Sequence, residues 1–163
     1  MKNLTEAEVL HRMASFCSMK ECCIQDIRKK AEATGLSSEE CDRIIKRLCS
    51  EKFLDEERYT RAFIKDKLRF SKWGRIKIKY ELLKKGVPTS LIETELNDID
   101  ESAYKSTLKD ILIQKKKSTK GKTPQEIYSK LFRFAAGRGF ESQFISSCLK
   151  TILNTDADDM DFD

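Results

Sequence analysis

The sequence predicts an all-α protein: three tandem three-helix units, nine helices in all, stacked in an elongated, curved arrangement. Three observations carry this expectation. First, Gly35, Gly86 and Gly139 recur in one apolar register, with Ile27, Ile78 and Leu131 eight residues before and Ala31, Leu82 and Ala135 four before. The register continues with Leu36, Val87 and Phe140 one residue after, Cys41, Ile92 and Ile145 six after, and Ile45, Leu96 and Leu149 ten after. Offsets of four and eight share a helix face, and a glycine just past the last apolar residue suits a left-handed C-cap. Second, capping signals stand ahead of the apolar runs. Third, the chain is 36% charged and 39% hydrophobic, the balance of charged amphipathic helices.

The elements follow in order. Thr5 to Phe16 carries Ala7, Leu10 and Met13 at helical spacing. Ser18-Met19-Lys20-Glu21 reads as a capping box for a second helix reaching about Thr34, and Ser37-Ser38-Glu39-Glu40 as the box of a third through Ile44, Ile45 and Leu48. Asp55 is the expected N-cap of a helix through Tyr59, Ala62, Phe63 and Leu68, broken at Ser71 or Gly74. Ile76 to Lys85 alternates like a strand over its first five residues, but its register with the other repeats makes it a helix. Pro88 suits the first turn of the next. The third unit starts near Asp100 and runs through Ala103, Leu108, Ile111 and Leu112 to a basic loop at Lys115 to Lys122 around Gly121. Thr123-Pro124-Gln125-Glu126 then opens a helix through Leu131 and Ala135, and a last helix spans Glu141 to Leu153. The expected boundaries are 1–54, 55–98 and 99–154, with an acidic tail at 155–163 that holds five aspartates and no base and is expected to be disordered.

Composition limits the chemistry. No apolar run approaches the roughly 18 residues of a membrane span, the N-terminus lacks a signal core, and a cytoplasmic address with no membrane partner is expected. Six cysteines are placed like small core residues; Cys17, Cys22 and Cys23 lack paired metal-ligand spacing, and His11 is the single histidine. No phosphate-cradling glycine motif is present, and a cysteine nucleophile would lack a nearby base. No catalytic residue, metal or cofactor is expected.

The net charge of +5 is unevenly spread: Arg58 to Lys122 holds 18 Lys and Arg against 8 Asp and Glu. Between Arg61 and Lys85, ten cations meet only Asp66 and Glu81, interleaved with Phe70, Trp73 and Tyr80. These cations admit two readings, contacts to a polyanion or a solvated helix face, while Trp73 is expected to pack. Lys67, Arg69, Lys72, Arg75, Lys77, Lys79, Lys84 and Lys85 are the candidate contacts, and Lys115, Lys116, Lys117, Lys120 and Lys122 form a secondary basic patch.

The middle of the chain resembles the RecX family of bacterial RecA regulators. The resemblance rests on Phe53-Leu54-Asp55-Glu56-Glu57-Arg58-Tyr59 with Ala62-Phe63, then Trp73-Gly74-Arg75 with Ile78, Leu82 and Lys85-Gly86-Val87. Phe134 to Phe140 looks like the third repeat of the same family, and the first unit keeps a serine at Ser18 without the arginine many members place before it. The resemblance covers roughly Leu4 to Leu153. It implies three tandem three-helix units, binding to the RecA–DNA filament across more than one protomer, and inhibition of RecA ATPase and strand exchange in recombination, repair and the SOS response. It also implies a monomer that binds single- or double-stranded DNA with weak sequence preference. A stand-alone DNA-binding protein with helix-turn-helix-like units is the competing expectation.

Overall fold

The helix signals of the sequence become helices throughout. The computed structural model describes residues 3–160, with side chains to residue 154, and among the described residues it contains nine α-helices and no strand. These are α1 (Glu6–Met19), α2 (Ile24–Glu32), α3 (Ser38–Ser50), α4 (Glu56–Asp66), α5 (Arg75–Lys84), α6 (Thr89–Asn97), α7 (Glu101–Lys116), α8 (Pro124–Gly137) and α9 (Ser142–Met160), with a π-helical turn at Lys67–Ser71. α9 carries the backbone of residues 155–160, seven residues past Leu153, while the side chains of that stretch and all of residues 161–163 lie outside the described residues.

The repeat register is a burial register. Ile27, Ile78 and Leu131 are buried, as are Ala31, Leu82 and Ala135, then Cys41, Ile92 and Ile145. The three glycines that follow have φ of +92°, +78° and +93°, the region a side chain disfavours. Two of them close Schellman-type turns: Val87 N donates to Leu82 O and Phe140 N to Ala135 O, each at 3.2 Å.

Compaction divides the helices into two units. The first takes the chain up to Phe63 together with Glu81–Glu93; the second takes Ile64–Tyr80 and Thr94 onward. The three sequence repeats and the two compact units are thus different partitions of the same helices. In the first unit, α1, α2 and α3 bury Val9, Met13, Ile27, Ile44 and Leu48. Arg58 ties this unit together: its guanidinium donates to Glu21 and to the Lys52 carbonyl, and Leu54 beside it is buried. In the second unit, α7, α8 and α9 close over Tyr104, Leu108, Leu112, Leu131, Phe140 and Ile145.

Caps fall where expected at Ser37, Asp55 and Thr123, and two further ones stand at Thr5 and Asp100. Thr5 and Ser37 each form a full capping box, with Glu8 and Glu40. Asp55 accepts from Arg58 N at 3.0 Å, and Asp100 from Ser102 N at 3.2 Å. Thr123 accepts from Glu126 N, but the Glu126 carboxylate reaches one residue further back, to Lys122 N. The box expected at Ser18 does not form: α1 runs on to Met19, and the Ser18 hydroxyl donates back to Ala14 O at 2.9 Å. The cap of α2 is Cys23, whose Sγ accepts from Asp26 N. Pro88 stands one residue ahead of α6 and its carbonyl accepts from Ile92 N, so it starts the helix from outside it. Lys115 and Lys116 belong to the last turn of α7, where cations meet the negative end of the helix dipole, and the loop is correspondingly shorter than expected.

The cysteines of the first unit behave as core residues. Burial, then the neighbouring Cys22, pushes the Cys17 thiol up to about 12. A thiol whose pKa is higher folded than unfolded keeps its proton in the folded chain while the unfolded chain sheds it. Its stabilisation is therefore complete below the ordinary value of 9.0 and is lost as pH rises from there toward about 12. The urea midpoint is expected to fall between pH 8 and pH 10, and to fall less in Cys17→Ala; equal falls in the two proteins would count against it.

Candidate nucleic-acid interface

The cationic stretch begins where α4 loses its regular pitch. After Asp66 the chain widens into the π turn Lys67–Ser71, and Lys72 takes the left-handed conformation at φ +56°. Turns of this type insert one residue into a helix and redirect the side chains that follow. The turn is pinned at its end: Trp73 N donates to Lys67 O at 3.0 Å, and the Arg138 guanidinium donates to Ser71 O at 3.1 Å. Phe70 consequently points outward, 71% exposed, with the Arg69 guanidinium 5.2 Å from its ring centroid. Trp73 is half-buried, as expected, and the ammonium groups of Lys67 and Lys77 lie 4.7 and 4.6 Å from its ring centroid.

Behind this surface lies a backbone joint within the second unit. Gly74 N donates to Arg138 O at 2.7 Å and Ile76 N to Gly139 O at 2.9 Å, so the orphan amides at the start of α5 are satisfied by the turn between α8 and α9. The two chains approach so closely that a Cβ on Gly74 would lie 2.4 Å from the Gly139 carbonyl. Arg75 N donates to the Tyr104 hydroxyl at 3.0 Å, and that hydroxyl donates to Glu141. The Arg75 guanidinium bonds Glu141 at 2.9 Å and stacks 4.1 Å from the Tyr104 ring centroid. Burial, then the bond with Glu141, raises the Tyr104 pKa well above the usual phenol range, which keeps the hydroxyl available as a donor.

These contacts sort the candidates. Arg75 is committed to Glu141, and the two side chains are only 21% and 23% exposed. Lys85 bonds Asp26 at 3.1 Å within the first unit. Burial alone would raise the Asp26 carboxyl, but the hydrogen bonds from Lys85 and Cys23 and the Lys85 charge lower it below its ordinary value. Lys84 lies 3.6 Å from Glu81. Lys67 and Lys77 are brought together over the Trp73 ring; Arg69 lies in the π turn, Lys72 directly after it, and Lys79 two residues beyond Lys77 on α5. Ile76 and Tyr80, four residues apart on α5, are 57% and 59% exposed. In the secondary patch, Lys115 lies over the Phe134 ring and Lys120 O accepts from Lys130, while Lys117 and Lys122 stand exposed in the loop after Lys116.

The π turn and the Tyr104–Glu141 pair escaped the sequence reading. Residues 37 positions apart leave no periodic signal of pairing. Burial raises all six thiols, the reverse of nucleophile activation. No described helix is long and apolar enough to cross a membrane.

Residues 55–96, which carry this surface, match the family described as RecX, second three-helix domain. The chain is 32% identical over 137 residues to the regulatory protein RecX of Clostridium beijerinckii, covering 83% of this chain and 63% of that one. It is 30% identical over 147 residues to the regulatory protein RecX of Clostridium acetobutylicum, covering 88% of this chain and 68% of that one. The chain thus spans a little under two thirds of the first of these relatives. Its fold matches the crystal structure of RecX from Lactobacillus salivarius with a TM-score of 0.82 at 14% identity, over 90% of this chain and 95% of that one.

Proposed function

Because this chain belongs to the RecX family, we propose that it binds RecA and RecA–DNA filaments and inhibits RecA ATPase, filament growth and strand exchange, working in the cytoplasm as a monomer. The observation that carries this reading is a coincidence of place: the segment that matches the family is also the one that carries Lys67, Arg69, Lys72, Lys77 and Lys79 together with the exposed Phe70. A cationic surface of this kind suits a filament whose DNA phosphates are within reach, with affinity that falls as salt rises.

Titration into a DNA-dependent RecA ATPase assay tests it. Substoichiometric protein is expected to lower the rate, and an unchanged rate up to a tenfold excess would overturn the proposal. Sequence-selective duplex binding that survives competitor DNA would instead favour the stand-alone DNA-binding protein. Lys72→Glu combined with Lys79→Glu is expected to raise the half-inhibitory concentration about tenfold, as lost phosphate contacts would, while leaving helicity intact. Arg75 and Lys85, held in internal ion pairs, drop out of the proposed contact set.

A further inference from the structure

Resting on the reading of this surface as a nucleoprotein contact, we propose that Phe70 is a stacking platform for an unpaired base, so that the surface takes single-stranded rather than duplex nucleic acid. Phe70 is 71% exposed, the most exposed aromatic among the described residues, and an exposed aromatic set among cations is the kind of platform on which bases stack. This one is presented by a turn that is fixed. The Lys67 carbonyl accepts from Trp73 N, Arg138 holds the Ser71 carbonyl, and the next backbone hydrogen bonds run from Gly74 and Ile76 into the turn after α8. An aromatic held this firmly loses little conformational freedom when a ligand stacks on it.

The surroundings choose the ligand. From Lys65 to Lys72 there are four cations, Lys65, Lys67, Arg69 and Lys72, and one acid, Asp66. A greasy protein pocket alone would not call for that local excess of cations. A nucleotide strand answers both features at once, its base meeting the ring and its flanking phosphates meeting the cations. In a duplex the base faces are covered by their stacked neighbours, so the ring's partner must be unpaired. The neighbouring aromatic, Trp73, already carries the ammonium groups of Lys67 and Lys77 over its ring. It serves as the platform's cationic support and, as the single tryptophan of the chain, as its reporter.

The test uses DNA alone. Binding of the full chain to a thymidine 15-mer, to an abasic 15-mer of equal charge and to a 15-base-pair duplex is followed by Trp73 fluorescence and by anisotropy of labelled DNA. The wild type is expected to bind the thymidine strand about tenfold more tightly than the abasic one. Phe70→Ala is expected to close that gap without changing the salt dependence or the thermal midpoint, and Phe70→Trp to preserve it by anisotropy. Equal affinity of the wild type for the thymidine and abasic strands, equal or tighter binding of the duplex, or no effect of Phe70→Ala would each overturn the proposal. So would a Phe70→Ala protein that has lost RecA inhibition while binding the thymidine strand normally, the signature of a protein pocket. RecA is absent from the binding assay, so a negative result there leaves the ATPase reading standing, and a negative ATPase titration leaves this one standing.

Discussion

Gly139→Ala is expected to lower the unfolding free energy by about 3–5 kcal/mol, the sum of left-handed strain and overpacking against backbone. The backbone there has φ +93°, and an added Cβ would sit 2.3 Å from Lys77 Cβ and 2.5 Å from Lys77 N. Neither neighbour can swing away, because the start of α5 is hydrogen-bonded to Gly139 itself. Gly35 provides the control. It occupies the same place in the repeat, at φ +92°, yet nothing lies within 4 Å of its would-be Cβ. Gly35→Ala should therefore cost only about 1 kcal/mol, the backbone strain alone. Urea denaturation of the two variants reads the difference directly. Equal losses would mean that the approach of α5 to the α8–α9 turn relaxes freely, and that the joint is not rigid.

Loss of the Glu141 carboxylate should break the polar network that joins Arg75 to Tyr104. Glu141→Ala is expected to destabilise by about 2–3 kcal/mol, less than the roughly 3–5 kcal/mol of a broken, fully buried ion pair because the partners are partly exposed. It leaves the Arg75 guanidinium and the Tyr104 hydroxyl without their shared acceptor. Tyr104→Phe should cost about 2 kcal/mol, chiefly by leaving the Arg75 amide unsatisfied. Because both substitutions act on one network, the double variant should lose less than the two single losses added together. Strict additivity in thermal or urea unfolding would show that the two contacts act separately. Neither change touches Phe70 or Lys72, so a mild temperature at which the variants remain folded should leave nucleic-acid affinity near that of the wild type.

Periodicity and capping chemistry made most of the fold readable before any coordinates. The register around Gly35, Gly86 and Gly139 marks burial because an eight-residue spacing along a helix returns to one face, and this signal is local. Ser37, Asp55 and Thr123 were readable for the same reason, since each cap contacts an amide three residues on. Ser18 misled because a serine near a helix end can cap the next helix or bond back into its own, and the choice depends on where the apolar face of α1 ends. Cys23 was missed because a thiol is a weak acceptor and seldom counts as a cap signal. The candidate site was readable as a composition and not as a geometry. Arg75 and Lys77 are neighbours in a basic run, yet one faces Glu141 and the other the Trp73 ring. Only the distant partners, on α7 and at the start of α9, separate them. The π turn left no signal either, since it depends on how the end of α4 meets its surroundings.

The discontinuous make-up of the first unit bears on how the protein is born. Residues up to Phe63 belong with Glu81–Glu93, and Asp26 finds Lys85 only from that later stretch. On a ribosome adding about 5–20 residues per second, the first three helices therefore emerge and wait several seconds for the strap that completes them. The capping boxes at Thr5 and Ser37 can close during that interval, since each needs only residues three positions away. The nascent chain can thus hold helical structure early while its first compact body remains unfinished until α6 has been made.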